Sequence, residues 1–230
     1  MFSVKRLGPE KSRPIVNAPR TRQREKLGPD PAVRRQILDA ATTAVREHGV
    51  DGLSVAAVLQ RAALSTRAFY RHFGSKDDLI AAVFLEGARA ERRRLKRRMA
   101  HAATEIEAVA AWIDARLDLA FDERLENDLR RLSLEAQSQI FSARGVVQPA
   151  YAEMLAPLSE SIGRGQQDGV FHNVDPVADA QFIHGVVWAG IDQHWAQGAG
   201  ARDDLRRRIQ RFCLRGLGVA REAIERVCST

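Results

Sequence analysis

Cysteine is almost absent from the 230 residues: Cys213 and Cys228 are the two, both late in the chain. Two thiols so placed cannot form a disulfide framework, which predicts a reducing, cytoplasmic setting. Both read as small helix-packing residues, with a redox sensor as the other reading. Long apolar runs are missing as well. None approaches the ~18 residues of a membrane span, and Met1–Arg24 holds charges and prolines without the apolar stretch of a secretory signal. Catalytic signatures are lacking: there is no HExxH, GxSxG or phosphate-binding loop. Gly163 and Gly165 fall inside a helical pattern and do not follow a strand, so they make no dinucleotide fingerprint. His184 and His194 lack metal-site spacing with other ligands. The expectation is a protein that is not an enzyme and that needs no cofactor or metal.

Acidic residues are scarce only in the first part. Residues 1–100 hold 22 basic against 10 acidic side chains, a balance of +12, whereas residues 101–230 hold 14 against 19, a balance of −5, which together make the net +7. One end is thus built to meet a polyanion. Nucleic acid is the usual one, because each neutralised phosphate releases condensed counterions. An acidic membrane surface or an idle uneven charge are the rival readings.

What is present is helical. Residues 1–30 are rich in Pro, Arg and Lys with no hydrophobic period, and are expected to form a disordered basic arm, either solvated or tracking DNA. Asp30 and Pro31 then suit an N-cap and first helical residue. Ile37, Ala40, Ala41, Ala44 and Val45 recur at helical spacing until Gly49, placed as a helix-ending glycine. Ser54 caps a second helix with Val55, Val58 and Leu59 inward. After a turn at residues 62–64, Ser65 or Thr66 caps a very short third helix ending near His72. Ser75-Lys76-Asp77-Asp78 resembles a capping box opening a fourth. Further amphipathic helices are predicted over residues 105–121, 123–141, 146–167, 175–196 and 202–217, and no strand signal competes with them.

Two short helices separated by a tight turn, the second only two turns long, describe a helix-turn-helix whose second helix enters the major groove N-terminus first. Thr66, Arg67 and Arg71 can reach base edges, and arginine to guanine is the commonest specific contact. Tyr70, His72 and Lys76 can reach phosphates, Ser54 can do so from a helix N-terminus, and Ser65 opens the reading helix. Phe69 and Phe73 are spaced to anchor that helix to its core.

Leu53-Ser54-Val55, Ala63 to Phe73 and Ser75-Lys76-Asp77-Asp78-Leu79 resemble the DNA-binding domain of the TetR (tetracycline-repressor-like) family, with Gly49, Tyr70, His72, Phe73, Lys76 and Leu79 on the pattern positions. The match covers about residues 31–84. It departs at Ala63, where many relatives carry glycine, which bears on the geometry of the turn. The resemblance implies an all-α fold: an arm (1–30), a three-helix helix-turn-helix domain (31–84) and a helical ligand-binding and dimerisation domain (85–230). It implies a homodimeric transcription regulator, a repressor released from a palindromic double-stranded operator by a small-molecule effector. A basic helical module for an acidic membrane or protein partner is the alternative, and the regulator reading expects no membrane contact.

For the second domain the residues themselves suggest more. Val177, Phe182, Ile183, Val186, Val187, Trp188, Ile191 and Trp195 run nearly all the way round one helix, so both its faces need covering. Leu205, Ile209, Phe212, Cys213 and Leu217 form a stripe on the next. By resemblance these two helices build a four-helix dimer interface. Candidate pocket residues are Trp112, Phe121, Phe141, Tyr151, Met154, Phe182, His184 and Trp188, an aromatic set suited to an apolar ligand or to ordinary core. The basic run from Arg92 to Arg98 has only Leu95 and Met99 beside it and reads as a solvated helix end with some long-range attraction for DNA.

Overall fold

The computed structural model describes residues 30–121, 135–137, 144–197 and 201–229, and among these all regular structure is helical. Residues 1–29 of the expected arm, the helix expected over residues 123–141 apart from 135–137, which are helical, and Phe141 lie outside the described residues. Four caps set the first part. The Asp30 carboxylate accepts from the Ala32 N–H at 2.8 Å and opens α1 (Pro31–His48), which Gly49 ends at φ +72°. Ser54 caps α2 (Val55–Arg61), Ser65 caps α3 (Thr66–His72), and Ser75 caps α4 (Lys76–Met99) by accepting from the Asp78 N–H at 3.0 Å. Each such cap satisfies an otherwise orphaned N–H and contributes about 1 kcal/mol.

One core lies under these helices. Ile37, Ala41 and Val45 of α1 meet Val58 and Leu59 of α2, Phe69 and Phe73 at α3, and Leu79, Val83 and Phe84 of α4. A short helix such as α3 cannot hold itself in water. It is held by Phe69, whose burial is worth roughly 1.5–3 kcal/mol, and by Phe73, over whose ring the Arg34 guanidinium sits at 5.2 Å.

A second core is formed by α5 (Glu105–Phe121), α6 (Arg144–Gln167), α7 (Pro176–Gln197), α8 (Arg202–Gly216) and α9 (Arg221–Cys228) around the far half of α4. Leu95 and Met99 of α4 join Trp112, Ile113 and Leu117 of α5, with Leu158 and Ile162 of α6, Ile183, Val187 and Ile191 of α7, and Ile209, Cys213 and Leu214 of α8. The 24-residue α4 therefore belongs to both cores, and so does α6, whose Val147 and Ala150 pack into the first. Both cysteines are buried and free, and burial pushes the Cys213 thiol up to about 12, so it remains protonated. Gly165 permits a close approach: a Cβ there would run into the Phe171 ring, which folds back over it.

Three expectations are corrected. The run from Arg92 to Arg98 is no simple solvated end, because a rise of 1.5 Å per residue distributes its cations over two neighbours. Arg92 pairs with Glu153 and Glu160, Lys96 with Glu160, and both reach α6; Arg94 and Arg98 reach Asp118 on α5. Only Arg93 and Arg97 of the run face solvent without a described ion pair. Phe212 does not share the buried stripe of α8: Ile209, Cys213 and Leu217 turn inward while Phe212 is 66% exposed. The helix α9, absent from the expected set, is short but strongly two-faced, with Ile224 and Cys228 buried.

The turn between α2 and α3 contains Ala63 at φ +51°, in the left-handed region that costs an alanine roughly 1–2 kcal/mol. Ala63→Gly relieves that strain at the expense of a more flexible unfolded chain, so it should raise stability by about 0.5–1 kcal/mol in urea unfolding. A loss of stability would show that the turn is not strained.

Candidate nucleic-acid interface and ligand cavity

The helix-turn-helix surface is built by caps on one side and aromatics on the other. Phe69 and Phe73 point inward, while Ser65, Thr66, Arg67, Tyr70 and Arg71 are exposed, with His72 and Lys76 half-buried beside them. Tyr70 lies edge-on to Phe69, ring centroids 5.2 Å apart, and this contact supports its exposed hydroxyl end. Ser54 is exposed at the start of α2. Among the described residues Arg67, Arg71 and Lys76 have no ion-pair partner, and the buried Nδ1 of His72 has no hydrogen-bond partner. Unpaired cations on a helix whose N-terminus is solvent-facing make a surface prepared for an anionic partner.

At the junction of the two cores is a second constellation. Phe84, Gly87, Ala88 and Glu91 of α4, Arg116 of α5, Ala136 and Gln137, Val147, Ala150, Tyr151 and Met154 of α6, and His184 and Trp188 of α7 surround a cavity of about 60 Å³. Its polar floor is an ion pair with almost no solvent contact. Arg116 Nη1 donates to Glu91 Oε1 at 2.9 Å, with Arg116 2% and Glu91 3% exposed. Arg94 donates to both oxygens of the same carboxylate, at 2.9 and 3.1 Å. Burial opposes the Glu91 charge, but the two guanidiniums overcome it and hold the carboxyl below its ordinary range.

His184 is 1% exposed, and neither of its ring nitrogens has a partner among the described residues. It is packed edge-on by Tyr151, Trp112 and Trp188 at 4.8, 6.2 and 6.1 Å. Burial, with the Arg116 charge added, keeps its pKa well below the ordinary imidazole value, so it stays neutral with one donor and one acceptor. Burial likewise pushes the Tyr151 phenol up to about 12.

Of the residues named from sequence, Tyr151, Met154, His184 and Trp188 line this cavity, and Trp112 stands behind it against His184. Phe121 does not line it; its ring packs on His194 at 4.0 Å. Phe182 does not either: it is 68% exposed, because Ile183 and Val187 take the inward face of α7. The sequence reading missed Glu91 and Arg116. A signal for them existed, since Glu91 sits on the same helical stripe as Phe84, Ala88, Leu95 and Met99, and Arg116 on that of Val109 and Trp112. Opposite charges on facing apolar stripes can be buried only together.

The buried His184 generates a pH dependence. Its unfolded form takes up a proton below about pH 6.5 while the native form resists, so stability is full above that pH and falls as acid is added. Stability should fall measurably between pH 6 and 5, and His184→Leu should flatten that fall in thermal unfolding. An equal slope in the variant would locate the dependence elsewhere.

Comparison with known proteins bears first on the helix-turn-helix. Residues 37–83 match the model for bacterial regulatory proteins of the tetR family. The HTH-type transcriptional regulator BetI of Brucella suis is 33% identical over 88 residues, 38% of this chain and 44% of that protein. The chain thus spans less than half the length of the curated relatives it matches. Solved structures extend the likeness in fold. RolR in complex with resorcinol superimposes with a TM-score of 0.62 at 21% identity, covering 86% of this chain and 93% of that one. FadR from Bacillus subtilis in complex with stearoyl-CoA gives 0.60 at 21% identity, covering 79% and 98%. Residues 37–83 thus match the DNA-binding domain of the tetR family of bacterial regulatory proteins in sequence, and the helical plan beyond them is matched in fold.

Proposed function

We propose that this protein is a cytoplasmic, homodimeric DNA-binding transcription regulator, a repressor that leaves a palindromic operator when a small molecule occupies its buried cavity. The observation that carries the reading is α3, a two-turn helix fastened by Phe69 and Phe73 that presents Thr66, Arg67, Tyr70 and Arg71 to solvent. In this reading Thr66, Arg67 and Arg71 meet base edges in the major groove. Tyr70, His72 and Lys76 hold phosphates, joined by Ser54 from the start of α2, and Ser65 caps the helix that enters the groove.

Two reading helices about one DNA turn apart, ~34–36 Å, require a two-fold partner. The exposed Phe182 of α7 and Phe212 of α8 are the support for where it docks. Small exposed residues follow Phe182 along α7, at Gly185 and Ala189, and would let a partner helix come close. The cavity supplies the effector site, and two structural relatives were solved with small molecules bound, resorcinol in one and stearoyl-CoA in the other.

Selection of bound duplexes from a random DNA pool tests the DNA reading. A palindrome should be enriched; Arg67→Ala should cost about 1–3 kcal/mol and relax one base position, while Tyr70→Phe should weaken all sequences alike by about 1 kcal/mol. Equal weak binding by all three proteins, with no sequence enriched, would overturn it. For assembly, Phe212→Glu should shift the sedimenting species from dimer to monomer and weaken operator binding more than ten-fold. A variant that remains dimeric would place the interface elsewhere.

A further inference from the structure

We infer that the cavity takes a compact apolar carboxylate, its negative charge at Arg116 and His184 and its apolar body against Phe84, Met154 and Trp188. This rests on the cavity being the effector site and adds the chemical class of the effector.

Charge comes first. The Glu91 carboxylate is shared by two guanidiniums, Arg94 and Arg116. Asp118 lies 3.8 Å from Arg94 and also pairs with Arg98 and Arg202. Among the described lining residues Glu91 is the one carboxylate, and two guanidiniums share it.

Hydrogen bonding points the same way. The Arg116 Nε–H is buried and has no partner among the described residues, and the His184 imidazole is unpartnered at both nitrogens. Buried groups of this kind cost free energy until they are satisfied. A single hydroxyl oxygen can answer one donor well. The two oxygens of a carboxylate answer the Arg116 Nε–H and the His184 N–H together, and charge-assisted bonds are the stronger kind. Tyr151 brings a third donor to the same wall, and burial keeps its phenol protonated. A dianion such as a phosphate monoester would expose a second charge to the apolar walls.

Shape limits the rest of the molecule. The remaining lining is Phe84, Ala88, Val147, Ala150, Met154 and Trp188. The free space of about 60 Å³ is smaller than even a small aromatic acid, so binding requires the lining to open, which the unbranched Met154 side chain allows.

The test uses the full-length protein and matched ligands with one apolar body: 3-phenylpropionate, 3-phenylpropionamide and 3-phenylpropanol, with benzoate, benzamide and benzyl alcohol as a shorter set. Binding is read at pH 7.5 by tryptophan fluorescence, since Trp188 lines the cavity, and by thermal shift. The acids should bind at least ten-fold more tightly than their neutral partners, and Arg116→Gln should reduce that preference to within three-fold. Should Arg116→Gln fail to fold, Tyr151→Phe keeps the buried ion pair and should weaken acid binding two- to five-fold without changing the neutral series. Neutral members binding as well as the acids would overturn the carboxylate class and leave the cavity as the effector site. No binding by either series, in protein that still binds its selected duplex, would overturn both.

Discussion

The structure depends most on the ion pair between Glu91 and Arg116. It stands near the middle of α4, the helix that enters the first core through Leu79, Val83 and Phe84 and the second through Leu95 and Met99. Removing one partner of such a pair leaves an uncompensated buried charge, at a cost of about 3–5 kcal/mol. The pair ties α4 to α5 at a point between the two cores. Two apolar residues of the same volume could pack as stably. What they could not supply is a polar floor for the cavity.

The cavity lies where the cores meet, and its neighbours connect it to the helix that the proposed regulator would use to read DNA. Phe84 lines it and belongs to the first core; Val147 and Ala150 of α6 do the same. Ala136 and Gln137 line it too, and next to them the Glu135 carboxylate accepts from the Val50 N–H at 2.8 Å, beside the glycine that ends α1. In the proposed regulator a ligand that displaces α4 or residues 135–137 shifts the platform on which α2 and α3 stand. Packed cores respond to such displacement by moving as units and not by local softening.

Much of the first core was legible in sequence because its signals are local. Asp30, Ser54, Ser65 and Ser75 announce helix starts within three residues of the N–H groups they satisfy, and Phe69 and Phe73 alternate with polar neighbours on a helix too short to be ambiguous. The second part was legible as helices but not as a site. The direction of Phe182 depends on which face of α7 the other helices cover, and α7 is apolar on nearly every side. The destination of Arg92, Arg94 and Lys96 depends on acids 20 to 70 residues away. Glu91, Arg116 and Glu135 matter through partners that only the tertiary arrangement brings near.

In the proposed regulator the cavity and the DNA-reading surface are coupled through α4, and coupling between two binding sites is reciprocal. The most direct measurement is the affinity of a cavity ligand, followed by tryptophan fluorescence, with and without saturating operator DNA. The account predicts that DNA weakens ligand binding by the same factor by which the ligand weakens DNA binding, at least five-fold. Equal ligand affinity in the presence and absence of DNA would contradict it.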